Sequence, residues 1–217
     1  MARPSKPLIS RTAAVEKSIE IIDSEGLDAF SLPRLAAALG VRAPSLYHHF
    51  ADKNEILTAI ARHVGGKSVI RPRRAPGPDW PEYFVSLALN FRQSVLRHRN
   101  VAPVLIEHLP RETLVGSYED NARFLHDSDV PTRLHIQILD GMETMSVGAV
   151  LAEALHRPRT RNSLFPSVDA DESPYLAAAL AANEFTLKEL FAERVRSFLV
   201  GVVVNDADRQ RAHETSA

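Results

Sequence analysis

The residues 31–57, SLPRLAAALGVRAPSLYHHFADKNEIL, constrain this chain more than any other stretch. Ser31 is a good N-cap, and Leu32, Leu35, Ala36 and Leu39 then form one apolar stripe that stops at Gly40. A glycine there can take the positive φ of a sharp turn. Three residues later Pro44 fits the first turn of a second helix, where its missing N–H costs nothing. In that helix, expected over 44–50, Leu46 and Phe50 are four apart and share an inward face. Asp52 caps a further helix, with Glu55 three residues on as the second half of a capping-box pattern. Two short helices joined by a tight turn, one stripe of each turned inward, are hard to reconcile with anything but a compact helical head.

The outer face of the second helix carries Ser45, His48 and His49, with Tyr47 at the flank and Lys53 just beyond. A short helix with this face fits the major groove of a duplex. Serine and histidine reach base edges, while a phenol and an ammonium reach phosphate. Lys53 falls in the first turn of its helix, where the macrodipole disfavours a cation unless a polyanion lies opposite. Arg34 and Arg42 add positive charge nearby. Taken one at a time these are ordinary surface residues, and the pattern alone leaves an inert helical hairpin equally open.

Charge sharpens the contrast between the two ends. The whole chain of 217 residues has a formal charge of −1, yet residues 1–74 hold twelve Lys and Arg against seven Asp and Glu, a formal +5. The remainder is left at −6. A basic head on an acidic body places the polyanion at the head alone.

The rest reads as helix. Val15, Ile19 and Ile22 stripe residues 11–25, and further helices are expected at about 80–98, 101–108, 111–127, 131–156, 174–182 and 184–204. Residues 65–79, GGKSVIRPRRAPGPD, read as a linker between a domain at 1–64 and a second at 80–204, with 1–9 a flexible arm and 205–217 a polar tail. HRPRTRNSLFPSVDADESP interrupts the pattern and reads as mobile. No alternating strand pattern of useful length, internal repeat or membrane-length apolar run is present, so the fold class expected is all-α. The basic N-terminus is not followed by an apolar stretch long enough for a signal peptide. With no cysteine the chain has neither disulfides nor thiolate metal sites, and it suits a reducing cytoplasm.

Leu39-Gly40-Val41, Leu46-Tyr47, His49-Phe50, Lys53 and Leu57 together resemble the helix-turn-helix signature of the tetracycline-repressor (TetR) family of bacterial transcription regulators. The resemblance covers about residues 10–60 and fixes residue type at many positions at once. It implies base contacts from Arg42, Ala43, Pro44 and Ser45, and phosphate contacts from Tyr47, His49 and Lys53. Pro33 departs from the family, where a polar or basic residue often stands; Arg34 is then the nearby candidate.

A recognition helix this short implies a symmetric dimer reading a palindromic operator in double-stranded DNA. Two surfaces are available for a homodimer. In 184–204, Leu187, Leu190, Phe191, Val195, Phe198, Leu199 and Val202 form a wide apolar stripe with Gly201 among them. In 131–156, Gly141, Met145, Gly148 and Ala152 form a face of small residues suited to close approach of two backbones. The family resemblance places its four-helix dimer interface on these last long helices.

Residues 80–151 more faintly resemble the ligand-binding domain of tetracycline repressors. Leu105, Thr144 and Ala152 align with positions that hold the magnesium–tetracycline complex there, and none can ligate magnesium. No metal or cofactor is therefore expected. An unknown small-molecule effector of largely apolar character would be lined by Phe84, Leu87, Phe91, Leu105, Phe124, Met142 and Met145, with His108, Asn121 and Glu143 as polar handles. Helical spacing of such residues is equally the signature of an ordinary core.

Two other function classes have some footing in the residues. His126-Asp127, with His98 or His108 before and Asp169 after, has the residue types of an all-helical metal-dependent hydrolase. No phosphate loop, nucleophile elbow or zinc-helix motif accompanies it, so no enzyme is expected. A helical adaptor for protein partners is the other, and the +5 head argues against it. The reading is of a DNA-binding, ligand-responsive repressor.

Overall fold

The computed structural model describes residues 10–66, 73–108, 111–156, 164–165 and 167–216. Among them are ten α-helices, one 3₁₀ turn and no strand. Arg3 and Lys6 of the expected arm, the middle of the expected linker, and residues 157–163 and 166 of the segment after His156 lie outside the described residues. The chain divides into two compact units: Met1–Val69 with Gln93–Leu114, and Ile70–Arg92 with Val115–Ala217.

In the first unit α1 (Arg11–Glu25) opens on Ser10, whose Oγ accepts from the Ala13 N–H at 3.0 Å, and closes at Gly26. Its apolar period buries Val15, Ile19 and Ile22 as the sequence predicts. Helix α2 (Leu32–Leu39) is capped by Ser31 and stops at Gly40, whose φ of 68° is the left-handed turn that only a glycine takes without strain. Helix α3 (Ala43–Tyr47) is five residues long, shorter than the expected 44–50. His48 and His49 sit in the turn after it, although the Phe50 N–H still donates to the Leu46 carbonyl at 2.9 Å.

Helix α4 (Lys53–Gly66) begins where Asp52 Oδ1 accepts from the Glu55 N–H at 2.8 Å. The reciprocal bond goes one residue further back than in a standard capping box: Glu55 Oε2 accepts from the Ala51 N–H at 2.6 Å. Helix α1 packs on α2 and α4, and α2 on α3. Phe30, Leu35, Leu46, Phe50, Ile56 and Ile60 are all buried to 2% exposure or less. The 3₁₀ turn Arg99–Val101 packs on α1, and α6 (Ala102–His108) packs on α4. Asp23 holds that corner, pairing with His98 Nδ1 at 2.6 Å while its carbonyl accepts from Asn100 Nδ2 at 3.0 Å.

The second unit contains α5 (Trp80–Arg97) as far as Arg92, α7 (Arg111–Asp127) from Val115, then α8 (Thr132–His156), α9 (Pro174–Ala182) and α10 (Leu187–Ser216). Leu134, Ile138, Met142, Ser146, Val150 and Ala154 recur every fourth residue along the buried side of α8. Phe191, Val195, Leu199 and Val202, three or four residues apart, form the buried side of α10. The two helices run antiparallel, since Arg133 binds Asp206 at 2.6 and 3.0 Å while Gly141 meets Phe198. Arg196 clamps Glu82 at 2.5 and 3.0 Å, and that hydrogen bond holds the Glu82 carboxyl below the usual carboxylate range. The polar residues 205–216 continue α10 rather than leaving it. Their charges suit a solvated helix, with Arg211 and Asp208 paired one turn apart.

Gly141 has a different use from the one its sequence context suggests. A Cβ placed there would come 2.2 Å from the Phe198 ring, so the glycine seats α10 of the same chain. Gly148 and Gly201 have nothing within 4 Å of such an atom. Gly141→Ala should therefore cost about 1–3 kcal/mol of stability through overpacking. Chemical denaturation of Gly141→Ala, Phe198→Leu and the double variant checks this: the double variant should be more stable than the sum of the single losses, and strict additivity would contradict the close approach.

Candidate nucleic-acid interface and effector pocket

The nucleic-acid face is built by anchoring one side of a very short helix. Burying Leu46 (0% exposed) and Phe50 (2%) contributes on the order of 2 kcal/mol each. The other side is left to solvent: Tyr47 is 55% exposed, and Arg42, Pro44, His48 and Lys53 are exposed. Ala43, Ser45 and His49 are half-buried along the same surface. Arg42 precedes α3 as its N-cap without a side-chain cap bond. The Lys53 ammonium stands 5.6 Å from the centroid of the buried Phe30 ring, which orients it without neutralising it.

Arg34 differs from its companions. Its Nε donates to Glu25 Oε2 at 3.0 Å and its Nη2 to Oε1, a fork-to-fork pair between α2 and the end of α1. That hydrogen bond raises the Arg34 pKa and lowers that of Glu25. Lys17 is likewise paired with Glu20. Three of the head's twelve cations, Arg11, Lys17 and Arg34, are thus balanced in place, and Arg42 and Lys53 stand at the face with no ion pair among the described residues.

The sequence-predicted effector residues divide between the units. Leu105, buried, and His108 belong to the first, with the head; Phe84, Leu87, Phe91, Asn121, Phe124, Met142, Glu143 and Met145 belong to the second. Within the second, Phe84 and Phe124 are core. Phe84 meets Trp80, Tyr83 and Phe124 edge-on, and Tyr83 stacks on Phe124 with centroids 3.9 Å apart. Leu87, Phe91, Asn121, Glu143 and Met145 keep partial exposure.

Two tyrosines that the sequence does not single out address the polar handles. Tyr83 Oη donates to Asn121 Oδ1 at 3.1 Å, and Tyr118 Oη donates to Glu143 Oε2. Tyr118 lies three residues before Asn121 on α7, a helical-face spacing that would have found it. Ser146 is a third such residue. Its Oγ is buried between the Met142 and Val150 levels of α8, with no hydrogen-bond partner among the described residues. Serines on helices usually turn back to the carbonyl four residues earlier, as Ser18 and Ser128 do here.

His98 and His108 fall in the first unit and His126, Asp127 and Asp169 in the second. Among the described residues no three His, Asp or Glu side chains gather as a metal site. Nor is any described helix long and apolar enough to cross a membrane.

Comparison with known proteins is consistent with this geometry. Residues 14–60 match the model for bacterial regulatory proteins of the tetR family, and residues 72–204 match that for the tetracyclin repressor-like C-terminal domain. The chain is 26% identical over 148 residues to tetracycline repressor protein class D of Escherichia coli, with 68% of each chain covered. Over 63 residues, 29% of this chain and 23% of the other, it is 39% identical to the HTH-type transcriptional repressor DrrR1 of Streptomyces coeruleorubidus. Among solved structures it resembles a possible TetR family transcriptional regulator of Streptomyces coelicolor A3(2), with a TM-score of 0.72, 26% identity, and 90% and 99% of the two chains covered. ActR of Streptomyces coelicolor in complex with actinorhodin shares the fold at a TM-score of 0.69 and 22% identity, over 91% and 98% of the chains.

Tyr47→Phe and Lys53→Ala should each weaken duplex binding across all sequences. The log–log salt slope should fall for Lys53→Ala by about 0.9 for each phosphate that the side chain no longer neutralises. A titration of binding against salt checks both, and a wild-type slope in Lys53→Ala would contradict an ammonium–phosphate pairing at that position.

Proposed function

The chain belongs to the tetR family of bacterial regulatory proteins and is a DNA-binding transcription regulator, not an enzyme; from that premise we propose that it is a ligand-responsive repressor which binds a palindromic operator as a homodimer. The observation that carries the proposal is the division of α3 and its following turn into a buried pair, Leu46 and Phe50, and a solvent face of Arg42, Ser45, Tyr47, His48, His49 and Lys53. On this reading Arg42 to Ser45 lie against base edges, while Tyr47, His49 and Lys53 hold phosphates and fix the register. Arg34, already engaged by Glu25, contributes less than its charge suggests.

One such helix buries too little surface for a tight site, and two heads across a twofold axis would read half-sites roughly 34–36 Å apart. Exposed residues of the long helices support the pairing of copies. On α8, Ile136, Asp140, Thr144, Gly148 and Ala152 recur every fourth residue along an exposed and mostly small-residue stripe. On α10, Val200, Val203 and Val204 are exposed on one face. Apolar surface in this arrangement, on the last long helices, suits a four-helix interface.

The effector is read as a mostly apolar small molecule with a few hydrogen-bonding groups, held in the second unit near Leu87, Phe91 and Met145. Asn121, Glu143 and the unpartnered Ser146 hydroxyl would supply its polar contacts. That ActR is seen with actinorhodin supports a ligand in this fold. The magnesium-binding positions of tetracycline repressors are Leu105, Thr144 and Ala152 here, so metal-chelated tetracycline is not the ligand proposed. The effector must bind the two states with different affinity, favouring one in which α4 tilts and the half-site separation is lost.

Selection of bound duplexes from a random pool at physiological salt tests the proposal. It should return a twofold-symmetric consensus. An asymmetric consensus would overturn the dimeric reading, and no enrichment at all would overturn the operator reading.

A further inference from the structure

Arg11, on the first turn of α1, is in the sequence only one of twelve head cations. In the structure its guanidinium is committed entirely to one corner of the head. Nη1 donates to the His49 carbonyl, Nη2 donates to Glu55 Oε1 at 2.7 Å, and the guanidinium carbon lies 4.4 Å from the centroid of the Phe50 ring. The residues it reaches lie 38 and 44 positions away in sequence. We propose that Arg11 is a positioning residue for operator recognition, strapping the turn between α3 and α4 to α1 so that the outer face of α3 meets base edges in one orientation. The inference rests on the DNA-binding reading above and adds a residue that does not itself touch DNA.

A five-residue helix cannot hold its own direction through its few internal hydrogen bonds. Leu46 and Phe50 fix its inward side, but burial is non-directional and leaves the turn free to rock. The His49 carbonyl lies in the turn just after that helix, outside its hydrogen-bond ladder, and Arg11 satisfies it from α1. The same guanidinium grips Glu55, whose other carboxylate oxygen accepts from the Ala51 N–H at 2.6 Å and whose own N–H donates to Asp52 at 2.8 Å. His49, Phe50, Ala51, Asp52 and Glu55 thus form one fastened corner, and Arg11 ties it to α1. The Ala51 bond first, then Arg11, holds the Glu55 carboxyl below the usual carboxylate range, so the strap stays charged at neutral pH.

Base-edge hydrogen bonds depend on angle and distance within narrow limits. Attraction to phosphate is long-ranged and tolerant of orientation. Loosening the corner should therefore penalise the operator and spare random duplex. Because Arg11 is spent on Glu55 and the His49 carbonyl and neutralises no phosphate on this reading, the salt slope should not change.

The test compares full-length wild type, Arg11→Gln and Arg11→Lys on the selected operator and on a random duplex of equal length, across a salt series, with thermal midpoints alongside. Arg11→Gln should lose on the order of tenfold on the operator, equivalent to about 1.4 kcal/mol. Random-duplex affinity and salt slope should stay at wild-type values. Arg11→Lys should fall between, because an ammonium lacks the planar fork that serves two acceptors and a ring together. Equal loss on both duplexes with a shallower slope would make Arg11 a phosphate ligand instead. Equal loss with an unchanged slope and a lowered midpoint would reduce it to fold support, and unchanged operator affinity would remove it altogether. Should Arg11→Gln fail to fold, Glu55→Gln, which keeps an acceptor for Ala51, must show the same operator-selective loss, and its absence would overturn the proposal. Wild-type protein that binds no duplex in a salt-dependent way would overturn the DNA-binding reading, an outcome separable from all of these.

Discussion

The burial of Leu46 and Phe50 is the interaction on which the rest depends. Five residues of helix have no standing of their own in water, and α3 exists because these two side chains complete a core with Phe30, Leu35, Ile56 and Ile60. Once they are inside, the period of the backbone leaves no choice about what is outside. Tyr47 and His48 must face solvent, Arg42 and Pro44 must flank them, and Lys53 must open the next helix. Function at this surface is the complement of a packing decision.

Electrostatics then narrows the surface further. A formal +5 over the first 74 residues would suggest a diffuse cationic head. The structure instead pairs Arg11 with Glu55, Arg34 with Glu25 and Lys17 with Glu20. Exposed pairs of this kind are worth little to stability, but they remove cations from competition for phosphate. Arg42 before α3 and Lys53 at the start of α4 keep free positive charge at this face, where it can register a duplex backbone instead of merely attracting one.

How much of this is legible in the sequence follows the range of each interaction. Ser31, Gly40 and Asp52 are legible because a cap or turn is decided within four residues, and each does what its type and spacing predict. Leu46 and Phe50 are legible because helical period alone sets their shared face. The five-residue length of α3 is not: the helix stops at Tyr47, and the turn after it meets a hydrogen bond from Arg11, a residue far away in the chain. Gly141 misleads for a related reason: a small residue signals close approach without saying to what, and the approach is Phe198 of the same chain. Among the effector residues, aromatic spacing does not separate core from lining, and Phe84 and Phe124 prove to be core. Tyr118 shares a helical face with Asn121 and is within reach of periodicity, whereas Tyr83 and Ser146 escape a sequence reading because their importance lies in a hydrogen bond made and one missing, which no periodicity encodes.

The central claim is that α3 offers its outer face to a duplex twice, through two heads related by a twofold axis. Phosphate-ethylation interference on the bound operator tests it most directly, because it maps backbone contacts without assuming which bases are read. The account predicts two symmetric clusters of essential phosphates on one face of the duplex, their centres about 34 Å apart, one turn of B-DNA. A single cluster, or phosphates scattered around the whole circumference, would contradict it.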